Sequence, residues 1–211
     1  MSRGLVWALG MLIIGCALAW QVTHLAPPTK PLPLLYTLGG DFVLPSTTGA
    51  TTSLADFRGD LVLLNFGYTS CPEVCPTVLA RMRDVLSMLP EGRARVRPVF
   101  ITLDPEVDTV DRLQPYLGFF DSAFVGLTGT PAQIAQTAAD YNVFYEREPM
   151  ASSLGYSISH SSHIYLLDGQ GRVRATFGEG VPLPQIAGAV YQLLGEDVYA
   201  DLAKRSPLHG P

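Results

Sequence analysis

An apolar run at 61–66 (Leu-Val-Leu-Leu-Asn-Phe) leads within a few residues into Cys71-Pro-Glu-Val-Cys75-Pro76. Beyond Pro76, apolar Val78, Leu79, Met82, Val85, Leu86 and Leu89 recur at three- and four-residue spacing. The run does not alternate, as expected of a strand buried on both faces, and the later spacing predicts a helix over 76–89. The chain is thereby committed to a buried strand that passes two thiols through a short loop into a helix. Each cysteine precedes a proline, which disfavours helical backbone at both, so the helix is expected to start at Pro76 with Cys75 at its cap. Both sulfurs would then lie near a helix N-terminus, where unpaired N–H groups favour thiolate over thiol. An offset of four also leaves the sulfurs close enough to form a disulfide or share one metal ion. A purely stabilising disulfide explains the pair less well, because so short a loop constrains the unfolded chain little.

With 211 residues, 47% of them hydrophobic, the chain can bury one full domain plus a short extra segment. The net charge is −5, with both signs mixed along the chain. Arg93, Arg95 and Arg97 would share one face if extended; they read as a solvated strand edge rather than a nucleic-acid patch, and no nucleic-acid partner is expected. After Arg3, residues 5–22 carry no charge, long enough to span a bilayer, with Trp20 placed as an interfacial aromatic. The single basic residue ahead of the span predicts N-terminus in, domain out. Ala17-Leu-Ala19 resembles a signal-peptidase site, and Ile13-Ile-Gly-Cys16 loosely resembles a lipoprotein box; the apolar run continues past Cys16, which favours an uncleaved anchor. All three readings put the domain outside the cytoplasm, on the periplasmic side of the inner membrane in a bacterium, where an unguarded dithiol oxidises.

The expected organisation is an anchor or signal segment over 1–23, a proline-rich tether over 24–33, a folded domain over 34–205 and a tail over 206–211. Within the domain the pattern predicts a hairpin at 42–52, strands at 61–66, 96–103 and 124–127, and helices at 76–89, after Asp108-Thr109 to about 117, and at 131–141 behind Thr130-Pro131. A second hairpin, 163–167 with 173–177, turns on Asp168-Gly-Gln-Gly171, and a last helix over 184–194 is expected to end at Gly195. This order describes an α/β, thioredoxin-like sandwich with an N-terminal hairpin extension, tethered to one N-terminal transmembrane helix.

Three segments make the resemblance to a family specific: Leu64-Asn-Phe-Gly-Tyr-Thr-Ser-Cys-Pro-Glu-Val-Cys-Pro-Thr77, Ile101-Thr-Leu-Asp-Pro-Glu-Val-Asp-Thr109 and His160-Ser-Ser-His-Ile-Tyr-Leu-Leu-Asp168. Over roughly 34–195 the chain resembles the Sco family, membrane-anchored copper proteins that help assemble the CuA centre of cytochrome c oxidase. The resemblance implies a copper site of Cys71, Cys75 and His160, in the Cu(I) and Cu(II) states. It also implies as partners the oxidase subunit carrying CuA, a copper donor protein, a thiol reductant, and the membrane through the N-terminal segment. Two thiolates and an imidazole suit three-coordinate Cu(I) and accept Cu(II) with an added weak ligand. Structural zinc usually takes four protein ligands, and the domain has no third suitable cysteine, Cys16 belonging to the anchor. Where the family often has Asp immediately before the ligand histidine, this chain has Ser159. The family register selects His160 over His163; three apart in one continuous strand, the two would point to opposite faces.

Asp104 and Asp108 have two readings each. The resemblance makes them an acidic feature beside the metal or for docking; local chemistry makes Asp104 the start of an Asp-Pro turn and Asp108 a helix cap. His24 and His209 read as solvated, and Phe66 and Tyr68 as packing. The leading function is a copper-binding assembly factor, primarily metal-binding rather than enzymatic. The alternative is a membrane-anchored thiol-disulfide oxidoreductase that reduces the CuA cysteines, with the disulfide Cys71–Cys75 as its redox pair. A peroxiredoxin fits poorly: such sites usually carry Pro-x-x-x-Thr-x-x-Cys, and 64–71 contains no proline.

Overall fold

The central strand of the sheet, β3 (Leu61–Gly67), is buried at all seven positions, which explains its unbroken apolar character. It pairs in parallel with β4 (Val96–Thr102) and antiparallel with β8 (Ile164–Leu167). The five-stranded order is β5-β4-β3-β8-β9, with β5 (Val125–Leu127) and β9 (Val173–Phe177) at the edges. The computed structural model describes residues 32–35, 37–89, 92–150 and 155–205, with side-chain surroundings to 195. The expected anchor over 1–23, most of the tether, Cys16, His24, His209 and the tail over 206–211 lie outside the described residues. Among the described residues no helix is long and apolar enough to cross a membrane.

Alternate residues of β3 serve two cores. Leu61 and Leu63 pack with Val78, Met82 and Leu86 of α1 (Val74–Ser87), Leu113 and Leu117 of α2 (Val110–Phe120), and Ile186 and Val190 of α4 (Leu183–Arg205). Val62, Leu64 and Phe66 face Ile134 and Ala138 of α3 (Pro131–Asp140), Tyr141, and Leu44. Burying an apolar side chain of this size contributes about 1.5–3 kcal/mol, so both faces of β3 bind their covering layers strongly. The N-terminal hairpin is β1 (Val43–Pro45) with β2 (Thr51–Ser53), as its turn residues predict. Thr130 opens α3 with a reciprocal cap, its hydroxyl accepting from the Gln133 N–H while the Gln133 side chain accepts from the Thr130 N–H.

The structure differs from the sequence reading in several places. Helix α1 begins at Val74 with Glu73 at its cap, so Cys75 lies inside the first turn rather than at the cap. Pro76 is tolerated there because first-turn N–H groups have no intrahelical acceptor to lose. Helix α4 runs through Gly195 to Arg205; a helical glycine costs only about 1 kcal/mol, too little to stop a helix by itself. Strand β4 is internal rather than a solvated edge, and the arginines near its start are engaged locally. Arg93 pairs with Asp121, Arg97 donates to Asp60 at 2.7 Å, and Arg95 donates to the Gly59 carbonyl at 2.8 Å.

One element has no counterpart in the sequence reading. Strands β6 (Tyr145–Pro149) and β7 (Tyr156–His160) form a separate antiparallel hairpin that pairs Tyr145 with His160. Every residue of β6 after Tyr145 is exposed, so it carries no apolar alternation to betray it.

Candidate metal centre

The site is built where β3 ends. A Cβ added at Gly67 would come within 2.7 Å of Cys75 Sγ and 3.0 Å of the Phe100 ring, so glycine is what lets the sulfur tuck against the strand. The chain then turns through Tyr68, Thr69 and Ser70 to Cys71, and α1 carries Cys75 back beneath it. Cys71 is 8% exposed and Cys75 1%, both as free thiols. The Cys75 N–H donates to Cys71 Sγ at 3.4 Å, an orphan first-turn donor satisfied by sulfur.

The hairpin brings the third group. His160, the last residue of β7, places Nε2 at 3.4 Å from Cys75 Sγ. The ligand atoms of Cys71, Cys75 and His160 all lie within 4.8 Å of one another. Among the described residues they are the one group of three or more His, Cys, Asp or Glu side chains close enough to share an ion. His160 Nδ1 lies 3.1 Å from the Ser161 carbonyl, which can only accept, so Nδ1 donates there and the ring is held with Nε2 facing the sulfurs. That carbonyl does the orienting that an aspartate before the histidine could do; Ser159 itself is exposed and pairs with Glu146 across the hairpin. His163 is exposed and lies between β7 and β8, not in one continuous strand with His160. The chain turns there because the hairpin belongs to a different sheet from β8.

Tyr68 is packing, as expected, buried against Cys71, Cys75 and Ile158. Its ring meets His160 edge-on at 6.0 Å, and its hydroxyl accepts from the Ile158 N–H at 3.3 Å. Phe66 is core, as expected.

The thiols are electrostatically unequal. The hydrogen bond from Cys75 pulls Cys71 down to about 3 against the cost of burial, with His160 and the Cys75 and Glu73 N–H groups contributing. The same bond, then burial, then the charge on Cys71 push Cys75 up. The pair thus holds one proton between two sulfurs, with thiolate at the more exposed position.

Asp104 and Asp108 brace this arrangement from the turn after β4. The Asp108 carboxylate accepts from the Thr69 N–H at 2.9 Å, the Thr69 hydroxyl and the Thr102 hydroxyl at 2.7 Å. It therefore holds the loop leading to Cys71. The helix cap belongs to Thr109, so Asp108 is not the cap of α2. Burial raises Asp108 despite these three donors. Asp104 does begin a turn, its carbonyl accepting from the Val107 and Asp108 N–H groups. Its carboxylate is 1% exposed and accepts from Tyr156 and Arg147 of the hairpin.

A thioredoxin-like sheet whose central strand leads into two thiols, met there by an imidazole from a separate hairpin, defines a thiol-based, soft-metal-binding domain. Comparison with known proteins narrows the class. The SCO1/SenC family model matches residues 33–195, and the chain belongs to that family. It is similar to SCO2-like protein RC0895 of Rickettsia conorii, 37% identical over 169 residues covering 76% of this chain and 82% of the relative. Among solved structures, Arabidopsis thaliana ScoI with copper bound superposes with a TM-score of 0.70 at 29% identity, covering 75% of this chain and 99% of that one. Bradyrhizobium japonicum ScoI with copper bound gives 0.68 at 33% identity, covering 74% and 99%.

Proposed function

We propose that this protein binds copper through Cys71, Cys75 and His160 and hands it to the CuA site of cytochrome c oxidase. The observation that carries the reading is the convergence of two sulfurs and one imidazole nitrogen within 4.8 Å. The donor set fits the cargo. Two soft thiolates suit Cu(I), and adding the imidazole raises the affinity for Cu(II). Copper-bound relatives of the same fold support the assignment. Transfer proceeds by ligand exchange with a partner's thiolates, and a copper donor protein loads the site. The uncharged span at 5–22 and the proline tether support an anchored protein whose domain faces away from the cytoplasm. A reporter fused after Pro211 then reads outside; a cytoplasmic signal would overturn that topology.

The test is copper titration of the reduced full chain in detergent. One Cu(I) per chain is expected, with a thiolate-to-copper charge-transfer band on adding Cu(II). Full stoichiometry retained when both cysteines are replaced by serine would sink the reading.

The unequal thiols favour a second activity at the same pair, reduction of the partner's disulfide. The Cys71 thiolate attacks one sulfur of that disulfide and the other leaves as thiolate, taking up a proton. Cys75 then loses its proton and attacks Cys71 in the mixed disulfide, releasing the partner's dithiol and leaving the Cys71–Cys75 disulfide. A dithiol reductant resets the pair. A catalytic reductase turns over an oxidised CuA-type peptide with such a reductant present; no turnover would exclude this activity.

A further inference from the structure

The hairpin that carries His160 forms its own two-stranded sheet and makes no ladder with the central sheet. Its position over the dithiol therefore depends on side-chain contacts. Ile158 of β7, 5% exposed, packs against Tyr68, Cys71 and Cys75, and the charged contact is made by the buried Asp104, whose carboxylate accepts from the Tyr156 hydroxyl at 2.7 Å and from Arg147 Nη2 at 2.8 Å. Arg147 stands on β6 and Tyr156 on β7, so one carboxylate grips both strands. The Arg147 guanidinium also lies 4.2 Å over the Tyr156 ring and reaches Glu106 at 3.1 Å. Tyr156 opens the strand that His160 ends, four residues on, about 13 Å along an extended chain. The Ile158 N–H to the Tyr68 hydroxyl is the intermediate contact.

We propose that Asp104, acting through Tyr156 and Arg147, is a positioning residue for His160: it holds the hairpin at the angle that brings the imidazole onto the dithiol. This rests on the copper reading. A carboxylate is needed because it takes two donors from two strands at once and answers the Arg147 charge; its burial would be costly without them. Asp108, four residues on in the same turn, holds the cysteine loop through Thr69. The two halves of the site are thus held by two carboxylates on one short segment, joined through the Thr102 hydroxyl, which accepts from the Asp104 N–H and donates to Asp108.

The test compares the full chain with Asp104→Asn, Tyr156→Phe and Arg147→Gln, using Arg97→Gln at the distant Asp60 pair as control. In the copper-free protein, hydrogen exchange followed by mass spectrometry is expected to be about 10-fold faster across 155–160 in the three variants, with α1 unchanged. With copper, Cu(I) stays at one per chain, Cu(II) affinity falls about 10-fold, the lower end of what losing an outer hydrogen-bond partner costs, and nitrogen coupling in the Cu(II) EPR spectrum weakens. Tyr156→Phe and Arg147→Gln each leave one donor on Asp104, so they decide the matter even if Asp104→Asn fails to fold. Unchanged exchange and unchanged nitrogen coupling in these two would overturn the proposal. So would a uniform acceleration of exchange with Cu(I) and Cu(II) lost together, which marks a general stability role. Should the wild-type chain take up no copper, the copper reading fails, while the exchange data still decide whether Asp104 holds the hairpin.

Discussion

His160 Nε2 stands 3.4 Å from Cys75 Sγ across a sequence separation of 85 residues, and Cys75 in turn bonds through its N–H to Cys71. The two cysteines are local neighbours on one strand-to-helix connection. The histidine arrives on a separate hairpin. This division of labour shapes how the site responds to change.

The histidine on the end of β7 is expected to matter most for Cu(II). His160→Ala should cost more than the roughly 10–100-fold lost with an outer hydrogen-bond partner, while the thiolates retain part of the Cu(I) affinity. His163→Ala, at an exposed position, should leave both near wild type. Parallel titrations of the two variants check this, and the reverse pattern would move the ligand assignment to His163.

Gly67→Ala pushes a methyl group into the space of Cys75 Sγ, 2.7 Å away, and of the Phe100 ring. An overpacked core site costs about 1–3 kcal/mol, and here the sulfur must move as well. The variant should unfold at lower denaturant and bind copper more weakly than wild type. Wild-type values for both would show that the strand end yields without moving the sulfur.

Oxidation and metallation should compete, because a Cys71–Cys75 disulfide consumes both thiolates. Treating the reduced chain with a mild oxidant is expected to lower its mass by two hydrogens and abolish copper uptake, with a dithiol reductant restoring it. Two free thiols persisting after oxidation would contradict the redox half of the function.

Asp168 predicts an acid limb in the stability profile. Burial alone would raise its carboxyl, but hydrogen bonds from the Arg172 side chain and N–H and from the Gln170 N–H, with the charge of Arg172, hold it below the ordinary value. Arg174 adds an ion pair at 3.3 Å. A depressed folded-state value means this stabilisation is complete above the unfolded pKa of about 3.9 and is lost as pH falls through the folded value. Denaturant midpoints should therefore be flat with respect to this group from pH 7 to 5 and drop below about pH 4. Asp168→Asn should destabilise the protein at pH 7 by about 3 kcal/mol, as when a buried pair loses one partner, and have a shallower acid limb. An identical acid slope in the variant would remove Asp168 from the account.

Much of this was written in the chain itself. Strand β3 was legible because both its faces are buried, leaving an unbroken apolar run. Helix α1 was legible because its apolar residues recur with the helical period, and the cysteine pair because it falls between the two. Local chemistry also determined the Thr130 cap, the Asp168 turn and the first hairpin, since each is an interaction among residues close in sequence. The hairpin β6–β7 could not be read from the chain: its exposed first strand has no apolar pattern, and its contacts, such as Tyr156 with Asp104 52 residues away and Ile158 with the cysteines, are long-range. The same holds for Gly67, whose lack of a side chain has meaning only once Cys75 is folded against it, and for the Ser161 carbonyl that orients His160. Which groups could bind a soft metal was already set by residue type, because donor chemistry belongs to the side chain. The angle and distance at which the imidazole meets the sulfurs came only from long-range packing, because a backbone pattern carries no information about the side chains that will anchor it.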